Sequence, residues 1–163
     1  MKRWVKWTAV AGVLGAAALL MLPQAATSAL PVGAKAPDFT TRGALAGKLF
    51  TLRLSEHLKK GPVVLYFFPA AFTPGCTAEA HEFAEATDDF KAAGATVIGM
   101  SADPVDKLAK FSTQECRDKF AVASAGPAIV KDYDVALPVP GGMTNRTSYV
   151  ISRTGRIVYV HSA

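Results

Sequence analysis

The stretch VVLYFFPAAFTPGCTAEAHEF, residues 63–83, joins a continuous apolar run to the start of a helix. Six apolar residues in succession predict a strand that is buried on both faces. Thr73 followed by Pro74 is typical of an N-cap and the first helical position. The alanine-rich run that follows keeps helical spacing up to Gly94, a residue type that commonly ends helices. A buried strand that turns directly into a helix predicts an α/β architecture.

Cys76 falls in the first turn of this predicted helix and is one of only two cysteines in the chain. Unpaired backbone N–H groups and the positive end of the helix dipole stabilise a thiolate, which is the nucleophilic form of the side chain. A free cysteine is more commonly a small buried apolar residue. The helix start therefore favours a reactive cysteine, with an inert core cysteine as the alternative.

The rest of the chain alternates strands and helices after a loop over 30–40. Strands are predicted within 49–54, 95–101, 120–124, 146–152 and 156–162, and helices from Ser55, over 105–120 and over 127–135. This order predicts one α/β domain over 30–163 with a thioredoxin-like fold, in which helices flank a mixed central sheet. In open sheets of this kind the reactive site lies beyond the carboxyl ends of the strands, and Cys76 follows the buried strand.

Residues 1–29 have the pattern of a secretory signal peptide. Three basic residues lie among the first six, and 15 uncharged residues follow. Thr27 and Ala29 are small residues of the kind that precede a cleavage site, so the mature chain is expected to begin at Leu30. This predicts an exported protein of the bacterial periplasm without stable membrane insertion. An uncleaved membrane anchor is the alternative, although a bilayer core needs about 20 apolar residues.

Length and charge indicate a single domain that does not bind nucleic acid. The chain has 163 residues, half of them hydrophobic, which is enough for one stable domain. Its net charge is +5, but the first 29 residues hold three of the basic side chains, which leaves 15 basic residues against 13 acidic ones. These are scattered along the chain and predict no basic face for nucleic acid.

The pattern P-x-x-x-[ST]-x-x-C, formed by Pro69, Thr73 and Cys76, resembles that of the peroxiredoxins. The segment TPGCTAEA, residues 73–80, is similar to the thiol peroxidase subgroup called bacterioferritin comigratory protein or peroxiredoxin Q, and the likeness covers about residues 31–162. It implies an antioxidant enzyme that reduces hydrogen peroxide and organic hydroperoxides without a cofactor. Its cysteine thiolate would attack the peroxide and become a sulfenic acid.

The same resemblance implies roles for the residues around the cysteine. Thr73 would donate a hydroxyl hydrogen bond to the peroxide or the thiolate, and Pro69 would shield the pocket from water. The Cys76 backbone N–H would donate to the attacked peroxide oxygen. Arg146 would supply a permanent cation, and Glu79 would hold its guanidinium in place. Taken singly, each has a simpler explanation as an N-cap, a strand end, a surface arginine or a first-turn acid.

The second cysteine raises the question of how the sulfenic acid is resolved. Many members place a second cysteine five residues after the first, where this chain has His81. Others place it at a position that aligns with Ser112, one helical turn before Cys116. The resemblance thus implies a transient Cys76–Cys116 disulfide, reduced by a thioredoxin-like protein or another small thiol. With both cysteines predicted in helices, their Cα atoms are expected to lie more than about 7 Å apart until the first turn at Cys76 unwinds.

Alternatives to this function remain open. Cys116 could be a buried apolar residue, with an external thiol doing the resolving. The chain could also be an exported module with one structural disulfide and no peroxidase activity. A thiol-disulfide oxidoreductase needs C-x-x-C, and a copper-delivery protein C-x-x-x-C, but the required positions hold Glu79 and Ala80.

Three further expectations concern the whole chain. The three histidines form no cluster at metal-ligand spacing, so no metal is predicted. The resemblance implies a monomer. It also implies a terminal helix after the last strand, which the sequence ending YVHSA lacks.

Overall fold

The computed structural model describes residues 29–163, and the predicted signal peptide lies outside the described residues except for Ala29. The strands are β1 Thr40–Leu45, β2 Lys48–Arg53, β3 Val63–Phe67, β4 Thr96–Ser101, β5 Ala121–Ser124, β6 Thr147–Ile151 and β7 Ile157–Ser162. The helices are α1 Leu54–Lys60, α2 Pro74–Ala92, α3 Val105–Gln114 and α4 Pro127–Asp132. In this part of the chain, no helix has the length and apolar character needed to cross a membrane.

The strands form one seven-stranded sheet in the order β2-β1-β5-β4-β3-β6-β7. Strands β3, β4 and β5 run parallel, and the other neighbours pair antiparallel. The predicted mixed sheet of a thioredoxin-like fold is therefore confirmed. Strand β3 lies in the interior between β4 and β6, and all five of its residues are buried.

Side chains that alternate along β3 enter two separate cores. Val63, Leu65 and Phe67 pack on one face with residues of α1 and α4. Val64 and Tyr66 pack on the other face, where α2 and α3 cover the sheet. Because successive strand residues point to opposite faces, a strand between two cores must be apolar throughout. The sequence of β3 is therefore apolar without interruption.

Strand β1 differs from the prediction, which placed its first residue in a loop. Thr40–Leu45 pairs with β2 and, through Gly43 and Ala44, with β5. The segment contains arginine and glycine where an alternating apolar pattern would have identified a strand. It is held by its long-range partners rather than by its own pattern.

The third helix is shorter than predicted. It ends at Gln114, so Cys116 lies in the following turn and not in a helix. Arg117 and Asp118 have φ of 51° and 59°, in the left-handed region that no α-helix continues through. The Asp118 N–H donates to the Ser112 carbonyl and closes the last helical turn. Residues 115–119 are called the 115–119 turn below.

Strand β7 forms one edge of the sheet and ends one residue before Ala163. Val158 and Tyr159 on this strand are exposed.

Candidate active site

Cys76 lies in the first turn of α2, just beyond the carboxyl end of β3. Thr73 is the N-cap residue with extended backbone, and Pro74 occupies the first helical position, as predicted. The Cys76 side chain is 1% exposed and packs in the core between the sheet, α2 and α3. Its sulfur thus lies at a helix N-terminus and is almost completely shielded from water.

Arg146 joins this cysteine to a carboxylate. Its Nη2 donates to Cys76 Sγ at 3.3 Å, and its Nη1 donates to Glu79 Oε2 at 2.7 Å. The planar guanidinium fork holds both partners at once, which an ammonium group does less well. The structure therefore brings together three of the predicted site residues in one chain of hydrogen bonds.

Strand pairing explains how Arg146 reaches a cysteine 70 residues away. Arg146 immediately precedes β6, and Thr147 pairs with Phe67 at the end of β3. Antiparallel pairing therefore puts the start of β6 at the end of the sheet where β3 ends and α2 begins.

Glu79 titrates abnormally because it is partly buried. Burial raises the pKa of Glu79, and the charge and hydrogen bond of Arg146 lower it by less, so the net shift is upward. An ion pair at a half-buried site loses hydration on both partners, and here that loss exceeds the attraction for the carboxylate. The Arg146–Glu79 contact is better described as positioning than as a source of stability.

Thr73 and Pro69 lie close to the cysteine in the chain but make no direct bond to it. The Thr73 hydroxyl donates to the Ala70 carbonyl at 2.9 Å and does not cap a helix N–H. Thr73 is exposed, and Pro69 is half-buried at the end of β3. The hydroxyl thus closes the loop between β3 and α2, and donation to a bound molecule would require it to rotate.

Gly75 is part of the site and was not identified from the sequence. A Cβ atom at this position would lie 2.7 Å from Arg146 Nη2. The absence of a side chain therefore lets the guanidinium cross the first turn of α2 to the sulfur. A glycine inside a helical turn is unfavourable by itself, and that cost was the available signal.

Asp103 also supports the site and was not identified from the sequence. Its Oδ2 accepts the Ala71 N–H at 2.7 Å and the Ser101 hydroxyl at 3.1 Å. Its Oδ1 accepts Lys107 Nζ at 2.8 Å. Asp103 thereby ties the loop before α2 to the end of β4.

Cys116 is fully buried and shares the core of Cys76. Both cysteines are free thiols in this structure. Burial raises the pKa of Cys116 well above its ordinary value, so this thiol is protonated in the closed fold. The position that aligns with family resolving cysteines, Ser112, instead accepts the Gly47 N–H at 2.9 Å.

Ion pairs hold the 115–119 turn against α2. They are His81 with Glu115 at 2.8 Å, Glu85 with Arg117 at 3.3 Å, and Asp88 with Lys119 at 3.3 Å. The last two pairs are largely exposed, and pairs of that kind contribute little stability. These two pairs therefore add little to the hold on the turn, which is also fixed by backbone hydrogen bonds such as that from the Cys116 N–H to the Phe111 carbonyl at 3.0 Å.

The available chemistry is that of a sulfur nucleophile beside a fixed cation. Among residues 29–163, no group of three or more histidine, cysteine or acidic side chains could hold a metal ion. A thiolate at a helix N-terminus with an arginine at its sulfur is suited to attack an electrophile and to stabilise the negative charge that leaves.

Comparison with known proteins finds one matching family model and several relatives named peroxiredoxin. The model of the AhpC/TSA family matches residues 32–160. The chloroplastic peroxiredoxin Q of rice, Oryza sativa subsp. japonica, is 33% identical over 130 residues, which are 80% of this chain and 58% of the rice protein. The chloroplastic peroxiredoxin Q of Suaeda salsa is 36% identical over 129 residues, or 78% of this chain and 58% of the relative. The chain thus spans less than two thirds of these plant proteins.

Solved structures give the same result for the fold. The crystal structure of peroxidoxin BcpB from Mycobacterium tuberculosis is similar with a TM-score of 0.72 and 34% identity, covering 82% of this chain and 86% of that one. AhpC from the same organism has a TM-score of 0.73 at 19% identity and covers 83% of each chain. At that identity the second likeness concerns the fold alone.

Proposed function

The chain belongs to the AhpC/TSA family of peroxiredoxins, and from this premise we propose that it is a thiol-dependent peroxidase acting through Cys76. Its substrates would be hydrogen peroxide and organic hydroperoxides. The observation that carries the proposal is the 3.3 Å hydrogen bond from Arg146 to Cys76 Sγ at the N-terminus of α2.

The first step is attack of the Cys76 thiolate on the terminal peroxide oxygen. A sulfur–oxygen bond forms, the oxygen–oxygen bond breaks, and the leaving oxygen takes up a proton as water or an alcohol. The cysteine becomes a sulfenic acid. Arg146 and the Cys76 backbone N–H are the donors that would stabilise the negative charge on the separating oxygens.

The second step would be resolution by Cys116. Its sulfur would displace the hydroxyl group of the Cys76 sulfenic acid as water and form a disulfide, which a thioredoxin-type protein or a small thiol would then reduce. The two cysteines are free thiols that share one core, which supports this route. Resolution by an external thiol is the alternative.

The test is peroxide consumption by the reduced protein with a thioredoxin system. The wild type should consume peroxide, and a Cys76→Ser variant should not. Treatment with one equivalent of peroxide, followed by peptide mapping, should give a Cys76–Cys116 linkage. Equal consumption by the Cys76→Ser variant would contradict the role of Cys76, and a Cys116→Ser variant that turns over normally would contradict that of Cys116.

An exported module with a structural disulfide is distinguished by the same measurements. It would consume no peroxide. Its disulfide would also be present before peroxide is added and would resist mild reduction.

A further inference from the structure

The hydroxyl of Tyr66 is a buried polar group that the fold leaves without a partner. Tyr66 lies on β3 and is 0% exposed. Within residues 29–163, its hydroxyl is the one buried side-chain oxygen or nitrogen that makes no hydrogen bond. A buried hydroxyl without a partner destabilises the fold, and phenylalanine would fill the same space without that cost. The hydroxyl is therefore not explained by packing.

Packing aims this hydroxyl across the sheet. Tyr66 pairs with Gly99 of β4, and a Cβ atom on Gly99 would lie 2.9 Å from the hydroxyl oxygen. The ring stacks on Phe83 of α2 with centroids 4.2 Å apart and meets Phe120 edge-on at 5.9 Å. Phe120 directly follows the 115–119 turn. The glycine thus lets the side chain reach from β3 over β4 toward the segment that carries Cys116.

Both cysteines lie in the same core as this ring. Cys76 and Cys116 belong to the buried cluster that contains Tyr66. Burial raises the pKa of Tyr66 well above its ordinary value, and negative charge on Cys116, Glu79 or Cys76 raises it further. The hydroxyl consequently stays protonated throughout the working pH range, so it is available as a donor near the two sulfurs.

We propose that Tyr66 is a catalytic residue for resolution, whose hydroxyl donates a hydrogen bond to Cys116 Sγ as this sulfur attacks the Cys76 sulfenic acid. The inference rests on the proposed function. In this step the sulfur–sulfur bond forms and the sulfur–oxygen bond of Cys76 breaks. The departing hydroxide and the proton from Cys116 leave as water, and Tyr66 keeps its own proton.

The proposal accounts for both unusual features of this core. A thiol that is buried and protonated needs a donor when it becomes a thiolate, because the apolar surroundings oppose its charge. The donor in turn lacks a partner only in the reduced state. Movement of the 115–119 turn would bring Cys116 Sγ within reach of the Tyr66 hydroxyl. Each group would then have a hydrogen-bond partner.

The test compares Tyr66→Phe with the wild type by rapid quenching after peroxide is added and by quantifying the sulfenic, disulfide and sulfinic forms of Cys76. Sulfenic acid formation should proceed at the wild-type rate. Disulfide formation should slow by about tenfold or more, the effect of losing one hydrogen bond to a charged group. The sulfinic form should increase at high peroxide, because the sulfenic acid persists for longer.

Tyr149→Phe is the matched control, since Tyr149 is a fully buried tyrosine in the other core. Its hydroxyl accepts the Leu30 N–H at 3.0 Å and donates to the Tyr133 carbonyl at 2.7 Å. Loss of this hydroxyl should lower stability and leave the distribution of cysteine products unchanged. Tyr66→Phe should instead change the distribution of cysteine products, with stability equal to or above that of the wild type.

Each other outcome is decisive. Disulfide formation at the wild-type rate in Tyr66→Phe overturns the inference and leaves the proposed function standing. A Tyr66→Phe protein that is less stable or does not fold also overturns it, because the hydroxyl would then have a structural partner. A wild type that forms no Cys76–Cys116 disulfide overturns the inference together with resolution by Cys116.

Discussion

Arg146 and Gly75 meet over the first turn of α2, and a single added methyl group is enough to separate the guanidinium from the sulfur. In Gly75→Ala the new Cβ would lie 2.7 Å from Arg146 Nη2, so the flexible side chain must shift away. We expect the second-order rate of peroxide reduction to fall by about tenfold or more, as for misplaced catalytic donors. Thermal unfolding should change little, because alanine is the better helix former.

Gly126→Ala is the control for this change, since a Cβ at that position meets no atom within 4 Å. Its rate should equal that of the wild type. A Gly75→Ala variant with an unchanged rate would contradict the assigned role of this glycine.

The charge of Arg146 should matter for the reaction more than for the fold. Arg146→Met removes the donor to Cys76 Sγ and should slow peroxide reduction about a hundredfold, corresponding to ~3 kcal/mol of transition-state stabilisation. Arg153→Met is the matched control, because Arg153 is exposed and donates to the Lys59 carbonyl at 3.1 Å rather than to a site residue. Steady-state kinetics and circular dichroism test both variants. Wild-type kinetics in Arg146→Met would refute the role.

Glu79 should make stability depend on pH with a definite sign. Burial raises its pKa above the ordinary value of 4.5, so the folded state holds the proton more tightly than the unfolded chain. Its contribution is then fully present below pH 4.5 and is lost as pH rises through the raised pKa. The Glu79→Gln variant has no carboxyl group at this position and therefore lacks this pH dependence.

Urea denaturation of both proteins over a pH series measures this effect. The free energy of unfolding of the wild type minus that of Glu79→Gln should fall as pH rises above 4.5 and become constant at higher pH. A difference that rises over this interval would show that attraction to Arg146 exceeds the loss of hydration.

At the scale of elements, the connection from β3 to α2 was predictable because its signals are local. A continuous apolar run, an N-cap threonine and a proline act through neighbouring residues only. Strand β1 and the end of α3 were not predictable in the same way. Pairing with β2 and β5 fixes the first, and a tertiary turn with two left-handed residues fixes the second. A tertiary setting can override weak local preference in both directions.

The same distinction applies to the candidate site. Cys76 is marked by its own helix start, but the place of Arg146 follows from the pairing of β6 with β3, which no local pattern encodes. Its role was accessible only through resemblance to a family. Gly75 and Asp103 were missed because their importance lies in what approaches them from distant parts of the chain.

Asp103 links two loops across the end of the sheet, and we predict that removing its carboxylate lowers stability. Asp103→Ala would leave the part-buried Ala71 N–H without its 2.7 Å acceptor. We expect a loss of ~1–3 kcal/mol in the free energy of unfolding, as for other unsatisfied buried donors. Peroxide reduction should slow as well, since the loop that carries Thr73 is loosened.

Lys107→Met separates the Ala71 bond of Asp103 from its part-buried ion pair with Lys107. It removes the Lys107 partner of the same carboxylate and leaves the Ala71 bond in place. Stability should then change less than in Asp103→Ala, because the Ala71 N–H keeps its acceptor. Equal effects of Asp103→Ala and Lys107→Met would contradict the proposed link between the loops.

In the whole molecule, the two cores on either side of the sheet contain different functional groups. One contains both cysteines and Tyr66, and the other contains the first described residues together with Tyr133 and Tyr149. Burial raises the pKa of Tyr149, although the Leu30 N–H lowers it, so the phenol stays protonated and links Leu30 to the Tyr133 carbonyl. The two cysteines are thus separated from the core that holds the first described residues.

This arrangement leads to a prediction about export and processing. The Leu30 N–H donates to Tyr149 Oη at 3.0 Å, and the Gly33 N–H donates to the Ile157 carbonyl at 2.8 Å. An α-amino group at Leu30 would keep a donor for the same phenol, so cleavage after Ala29 should leave the domain intact. We propose that the segment is removed on export, so that protein isolated from the native host has the mass of residues 30–163 and unfolds at the same temperature as the uncleaved protein. An intact Met1 in the native protein, or a lower unfolding temperature of the shortened chain, would contradict removal of the segment.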